Sequence, residues 1–310
     1  MSLVIQHLSK TYPNGVRALD DVSLTIPTGM FGLLGPNGAG KSSLMRTVAT
    51  LQRPDAGSVR LGEVDVLRQP DAVRRVLGYL PQEFGLYPNL SAEVVLDHFA
   101  TLKGLTDARQ RRATVDRLLA QVNLADVRKK AVGGFSGGMK QRLGIAIALA
   151  GDPRLVIVDE TTAGLDPSER YRFLNVLAEV ADDRVVILST HIVDDVRELC
   201  PRMAIINRGR VVLQGEPSAL LAQAAGRVWR RSVARDELEA VRARHAVISV
   251  RLVAGAPTVH VWADAAPDPR WAAVEPALED VYFRTLAAAG GAPGDVPAAP
   301  GADTPALQPA

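Results

Sequence analysis

Residues 35–42 read Gly35-Pro36-Asn37-Gly38-Ala39-Gly40-Lys41-Ser42 and directly follow an apolar run, Phe31-Gly32-Leu33-Leu34, that has the character of a buried strand. This is the phosphate-loop pattern, two glycines five apart followed by Lys and Ser. Glycines allow backbone N–H groups to turn inward onto phosphates, Lys41 reaches the β- and γ-phosphates as a point charge, and the Ser42 hydroxyl is placed to ligate Mg²⁺. Gly35, Pro36, Asn37, Gly38, Ala39, Gly40, Lys41, Ser42 and the flanking Ser43 are therefore the candidate nucleotide contacts. The apolar positions that follow, Leu44, Met45, Val48 and Leu51, have helical spacing. A strand, a glycine loop and a helix together predict a nucleoside triphosphate site.

A phosphate loop alone fits a kinase, a GTPase, a helicase or a transport ATPase, and the residues downstream decide among them. Leu155-Val156-Ile157-Val158-Asp159-Glu160 is an apolar strand ending in two acids. Asp159 is placed to hold Mg²⁺, and Glu160 to polarise an attacking water. Upstream, Phe135-Ser136-Gly137-Gly138-Met139-Lys140-Gln141-Arg142 opens a helical run containing Leu143, Ile147 and Leu149. A Ser-Gly-Gly cap presents free N–H groups and the positive end of a helix dipole, which makes Ser136, Gly137 and Gly138 an anion site. A second apolar strand, Val185-Val186-Ile187-Leu188, leads through Ser189-Thr190 to His191, whose neutral imidazole can hydrogen-bond a phosphate oxygen.

With these motifs in this order, the chain resembles the nucleotide-binding subunit of an ATP-binding cassette (ABC) transporter over residues 1 to about 215. The resemblance implies an α/β P-loop NTPase core with an inserted helical subdomain, ATP as substrate and Mg²⁺ as cofactor. It makes Phe135 to Met139 similar to the signature motif Leu-Ser-Gly-Gly-Gln, and Gln82 the loop glutamine that senses Mg²⁺ and couples to a membrane partner. It makes Ala163-Gly164-Leu165-Asp166 the D-loop, His191 the switch histidine, and Tyr12 the aromatic that stacks on adenine. Glu160, His191, Lys41 and Gln82 are then the candidate catalytic set, Ser42, Gln82 and Asp159 the candidate metal set, and Asp166 a further ATP contact. In such proteins ATP lies between two cassettes head to tail, so a single cassette implies a homodimer, or a heterodimer with a related cassette. Two departures concern rate rather than class: Met139 replaces the usual Gln, and Thr161 the Pro that commonly follows the glutamate.

Working outward, residues 91–124 carry Val94, Val95, Phe99, Leu102, Val115, Leu118, Leu119 and Val122 near helical spacing, which predicts a helical subdomain at about 84–150. Beyond the core at 1–215, residues 236–245 read as a helix, 248–252 and 259–261 as strands, and a last helix starts at Pro276, giving a small α+β domain at 216–289. The Arg-rich stretch holding Arg227, Trp229, Arg230, Arg231 and Arg235 reads as a solvated linker, because Asp236, Glu237 and Glu239 interrupt its charge. The Ala-, Gly- and Pro-rich residues 290–310 read as a disordered tail.

The 310 residues are 47% hydrophobic and 23% charged, ordinary for a soluble globular protein, and 36 basic residues balance 34 acidic ones. A net charge of +2 gives no argument for nucleic acid. Cys200 is the single cysteine, which excludes an internal disulfide and reads as a small packed residue. The absence of a secretion-like start or an apolar run of membrane length predicts a cytosolic protein, and the resemblance then implies a peripheral subunit on the cytoplasmic side of the cell membrane, working with a separate integral-membrane permease. The closest subfamily by pattern is the single-cassette, ABC-2 type that includes drug, lipid and polysaccharide exporters, whose members often carry a C-terminal segment similar to Leu278-Glu279-Asp280-Val281-Tyr282. The alternative is a soluble ABC-type ATPase acting on ribosomes or DNA. Translation-type members carry two cassettes, and repair-type members a long coiled coil between the phosphate loop and the signature, and this chain carries neither. A module that binds ATP without turnover requires a lost catalytic residue, and Lys41, Asp159, Glu160 and His191 are all retained.

Overall fold

Alternating apolar residues at the N-terminus, buried at Leu3, Ile5 and Leu8, build two long antiparallel strands in the computed structural model, β1 (Ser2–Thr11) and β2 (Arg17–Pro27). The structure describes residues 1–160 and 165–290. After β3 (Gly29–Leu34) and α1 (Lys41–Val48) come β4 (Ala56–Leu61), β5 (Val64–Asp65), α2 (Pro70–Val76) and β6 (Leu77–Leu80). Three helices follow, α3 (Ala92–Leu102), α4 (Ala108–Gln121) and α5 (Gly137–Leu149). The chain then runs through β7 (Leu155–Asp159), α6 (Pro167–Val180), β8 (Val185–Thr190), α7 (Val193–Leu199), β9 (Arg202–Asn207), β10 (Arg210–Gly215) and α8 (Pro217–Ala224).

One sheet has the order β2-β1-β4-β5 and a second the order β10-β9-β3-β8-β7-β6. In the second, β9, β3, β8, β7 and β6 run parallel and β10 is an antiparallel edge. Parallel strands are covered on both faces and need continuous apolar runs, which is why Val156, Ile157, Val186 and Ile187 are all fully buried. Residues from both sheets and from α1 share a single core that includes Leu3, Ile5, Leu44, Met45, Val48, Ile157 and Ile187.

The sheet order carries the functional consequence. Strands β3 and β7 both border β8, so Leu34, Thr190 and Asp159 end side by side on one edge. In open α/β sheets ligands bind outside the carboxyl ends of the strands, and here three loops converge there. The helical insertion lies between β6 and β7, with α3, α4 and α5 packed on one another. The helical region read over 91–124 is divided into α3 and α4: Gly104 adopts φ 93° between them, and Asp107 caps α4 by accepting from Gln110 N–H at 2.7 Å. Val94 and Leu102, two of the apolar positions that gave the helical spacing, are exposed.

The chain separates into two units, Met1–Ala219 and Leu220–Ala310, the division falling within α8. The second unit holds β11 (Val228–Ser232), α9 (Leu238–Arg244), β12 (Val247–Val253), β13 (Ala256–Trp262), β14 (Ala272–Ala273) and α10 (Leu278–Ala288). Its antiparallel sheet has the order β12-β13-β11-β14 over a core of Val233, Val241, Val247, Val259, Val261 and Trp271. Two readings are corrected here. The Arg-rich segment is a strand rather than a solvated linker: Val228 is fully buried, Trp229 packs on the core and donates through Nε1 to Ala263 O at 3.0 Å, and Arg231 pairs with Glu237. The last helix begins at Leu278 rather than Pro276, with Ala277 as its cap residue, whose N–H donates to Asp280 Oδ2 at 2.9 Å. The tail expected from residue 290 onward lies, Gly290 apart, outside the described residues.

Candidate functional site

The loop from β3 to α1 wraps its own lysine. Lys41 opens α1, is almost wholly buried, and donates from Nζ to Gly35 O at 2.6 Å and Pro36 O at 3.1 Å. Its charge is met by Glu160 Oε1 at 2.9 Å. A buried ammonium needs such partners, since an unpaired one would carry a large desolvation penalty. Gly40 is obligatory: it adopts φ 107°, and a Cβ there would collide with Ala18 O.

Glu160 leaves the end of β7 in the left-handed region at φ 49°, with its N–H donating to Ser189 O at 2.8 Å. That backbone costs a non-glycine residue about 1 kcal/mol, and it aims the carboxylate across β8 at both Lys41 and His191. Its Oε2 lies 3.6 Å from His191 Nδ1. Asp159, one residue earlier, is buried at the strand end. Burial pushes its carboxyl above the usual carboxylate range, opposed by the hydroxyls of Ser189 and Ser42 and by Lys41, and reinforced by the charge of Glu160. Its Oδ1 is buried with no hydrogen-bond partner among the described residues. An orphaned carboxylate oxygen beside a serine hydroxyl is a hard, oxygen-only donor set that fits Mg²⁺, with Gln82 lining the same space.

A cleft of about 590 Å³ opens over this edge, lined by Lys41, Ser42, Ser43, Gln82, Glu160 and Tyr12 among others. Asn37, Gly38 and Gly40 line it as well, so most of the loop residues picked from sequence face one space. Gly35 and Pro36 serve through their carbonyls, and Ala39 N–H donates back to Pro36 O at 3.1 Å. Tyr12 is held by its hydroxyl, which donates to Gln52 Oε1 at 3.0 Å and lies 3.1 Å from Ser43 Oγ. Gln52 is a residue that sequence reading missed: it also donates to Ser43 O at 2.7 Å and Thr47 Oγ1 at 2.9 Å, tying the aromatic to α1. Val16, Arg17, Ala18 and Arg208 complete the wall and were likewise not picked out. The turn Arg208-Gly209 between two apolar strands was their one sequence signal.

Four expected contacts, Ser136, Gly137, Gly138 and Asp166, lie elsewhere. Ser136 caps α5, its Oγ accepting from Met139 N–H at 3.2 Å, so the residue that departs from the usual glutamine supplies the cap through its main chain. Ser136 and Gly137 are exposed and do not line the cleft, and Gly138 is buried against Glu169, which pairs with buried Arg142 at 3.1 Å. Gly137 instead borders a second hollow of about 340 Å³ with Gln82, Phe84, Leu86, Pro88 and Lys140. Asp166, expected at the nucleotide, caps α6: its Oδ1 accepts from Glu169 N–H at 2.9 Å and Ser168 Oγ at 2.8 Å, bonds that hold its carboxyl below the usual range. Thr161, Ala163 and Gly164 lie outside the described residues. Cys200 is buried, and desolvation with nearby Asp195 pushes its thiol far up, which leaves it unreactive.

Residues 19–163 match the ABC transporter family. The chain is 36% identical over 249 residues to the daunorubicin/doxorubicin resistance ATP-binding protein DrrA of Streptomyces peucetius, covering 79% of this chain and 75% of DrrA. It is 38% identical over 228 residues to the probable multidrug ABC transporter ATP-binding protein YbhF of Escherichia coli strain K12; the match covers 73% of this chain but spans only 39% of YbhF. Among solved structures, an ATP-binding subunit of an ABC transporter superposes with a TM-score of 0.64 at 31% identity, over 72% of this chain and 93% of that one. A dimeric post-hydrolysis cassette, MJ0796 bound to ADP and Pi, superposes with a TM-score of 0.63 at 25% identity, over 69% of this chain and 98% of that one.

Proposed function

The chain belongs to the ABC transporter family, and we propose that it is the ATP-binding and ATP-hydrolysing subunit of an exporter, energising efflux through a separate integral-membrane permease. One observation carries the reading: Lys41 and Glu160 pair in a cleft that Tyr12 also lines, His191 lies beside Glu160, and Ser136 and Gly137 are exposed and do not line that cleft. Such a chain holds a nucleotide at one end of its surface and offers a second anion-binding helix start to another copy. The reading is a head-to-tail homodimer, or a heterodimer with a related cassette. The drug-resistance and multidrug-transporter relatives favour a drug-like cargo over a soluble role on ribosomes or DNA.

Within the site, each residue has a physical task. ATP displaces the carbonyl and carboxylate partners of Lys41, which then sits on the β- and γ-phosphates. Glu160, released from that ion pair, is the acceptor that orients water, and His191, close to its Oε2, holds the γ-phosphate from the other side. Mg²⁺, held by Ser42 and Asp159 with Gln82 nearby, would neutralise developing phosphate charge. The phosphate loop is fixed before the nucleotide arrives, so the N–H groups need no reorganisation during reaction. Ser136 to Gly138 of the opposite copy would complete the charge stabilisation. No helix among the described residues is long and apolar enough to cross a membrane, and the proposed membrane path is that of the permease.

The decisive experiment is steady-state ATP hydrolysis by the purified full chain with Mg²⁺, alone and with the membrane fraction carrying its neighbouring permease. Hydrolysis stimulated by a co-purifying membrane protein is expected. Binding of ATP with no turnover under any of these conditions would overturn the proposal.

A further inference from the structure

Three basic side chains line the cleft: Arg17, Lys41 and Arg208. Two are already engaged. Arg17 pairs with Asp20 and Lys41 with Glu160, the one acid among the lining residues described. Arg208 has neither an ion pair nor a hydrogen-bond partner for its side chain among the described residues, and it is exposed to the cleft. Before any nucleotide binds, the uncompensated positive charge of the wall is therefore Arg208.

The backbone at this position is itself unfavourable for arginine. Arg208 and Gly209 form the two-residue turn between β9 and β10, with φ 48° and 77°. Two successive left-handed residues are the geometry of a type I′ hairpin, which prefers Asn-Gly, and arginine there is strained. Hairpin formation alone gives no reason for it. The turn is also anchored to the site. Gly209 N–H donates to Ala39 O of the phosphate loop at 2.9 Å, Asp20 N–H donates to Gly209 O at 2.8 Å, and Arg210 Nε donates to Asp20 Oδ2 at 2.5 Å. These bonds fix the Arg208 main chain against the loop that receives the phosphates, so little backbone ordering remains when an anion arrives.

We infer that Arg208 is a nucleotide-binding residue that pairs with the phosphate chain of ATP from the hairpin side of the cleft, opposite the buried Lys41. This rests on the reading of the cleft as an ATP site. A guanidinium offers a planar fork of donors suited to phosphate oxygens, and at an exposed rim its contribution is screened by salt.

The test uses Arg208→Asn, which removes the guanidinium and suits the left-handed turn, together with Arg208→Lys, which keeps the charge. Binding of ATP and of adenosine to the full chain is measured at low and moderate salt, with thermal unfolding in parallel. Arg208→Asn should bind ATP about tenfold more weakly at low salt, with a smaller deficit at higher salt, unchanged adenosine affinity and an unfolding temperature no lower than the parent's. Arg208→Lys should fall between. Unchanged ATP affinity in Arg208→Asn overturns the inference, and an equal loss for adenosine overturns it in favour of stacking on the base. Failure of the parent chain to bind ATP at all would instead sink the reading of the cleft and, with it, this inference.

Discussion

Glu160 is the residue where geometry makes the sharpest demand, because the same carboxylate neutralises Lys41 at 2.9 Å and, in the proposed function, would orient water once ATP takes over Lys41. Glu160→Gln keeps the shape and removes the basic oxygen. Turnover should fall about 10²- to 10⁴-fold, roughly 3–5 kcal/mol of barrier, while ATP binding is retained or tightened because Lys41 no longer has a competing ion pair. The variant should therefore collect as an ATP-bound dimer in size-exclusion chromatography, and near-normal steady-state hydrolysis would refute the assignment. Tyr12 tests another part of the cleft lining. Tyr12→Ala should weaken ATP binding by about 1–3 kcal/mol with the saturated rate nearly intact, since stacking on the base acts alike in ground and transition states. Tyr12→Phe, which loses only the bonds to Ser43 and Gln52, should cost less. A lower saturated rate at unchanged affinity would make Tyr12 a structural residue. Asp159, Glu160 and His191 were legible in the sequence because each stands at or just past the end of an apolar strand, and Lys41 and Ser42 because the glycine-loop spacing after β3 announces them. Gln52 and Arg208 were not, since their places depend on a helix and a hairpin arriving at the cleft from distant parts of the chain.

Elements with a simple burial rule were readable, and those with a mixed rule were not. Strands β7 and β8 are apolar throughout because the sheet is covered on both faces. Strand β11 was missed because its period-2 pattern is carried by arginine, whose aliphatic stem lies along the sheet while its charge pairs outside, as Arg231 does with Glu237. The packing of β3 against α7 gives an element-level prediction. A Cβ built on Gly32 would lie 2.5 and 2.7 Å from the two methyl carbons of Val196, both on elements that support the phosphate loop and His191. Gly32→Ala should destabilise the chain by about 1–3 kcal/mol in urea unfolding. Adding Val196→Ala should recover part of that loss, so the pair should be non-additive. Strict additivity would show that the two residues do not meet.

For the whole molecule, all three tryptophans, Trp229, Trp262 and Trp271, lie in the second unit, so intrinsic fluorescence reports its unfolding. Burial raises the Tyr282 hydroxyl there to about 12. A group raised on folding lends stability that is complete below its unfolded value near 10 and is lost as pH rises through the folded one. Between about pH 10 and 12 that unit should lose up to about 2–3 kcal/mol, and Tyr282→Phe should remove this part of the loss. An identical alkaline profile for both proteins would refute it. The proposed permease contact follows from the hollow of about 340 Å³ lined by Gln82, Leu86, Pro88 and the start of α5, since it shares Gln82 with the nucleotide cleft and the adjacent Tyr87 is 56% exposed. Phe84 is a poor probe, because its ring packs toward Gly144 and a charge there would disturb α5. Leu86→Asp puts the charge in the lining of the hollow instead, and Tyr87→Asp puts it on the exposed residue beside it. Linkage requires that a permease favouring the closed dimer raise ATP affinity, and that ATP tighten the permease contact by the same factor. Both variants should therefore bind ATP within about twofold of the parent when alone, yet lose permease-stimulated hydrolysis and recovery of the membrane protein in pull-downs from solubilised membranes. Stimulation and recovery equal to the parent's would place the contact elsewhere, and recovery of ribosomes or DNA without any membrane protein would replace the exporter reading with the soluble one.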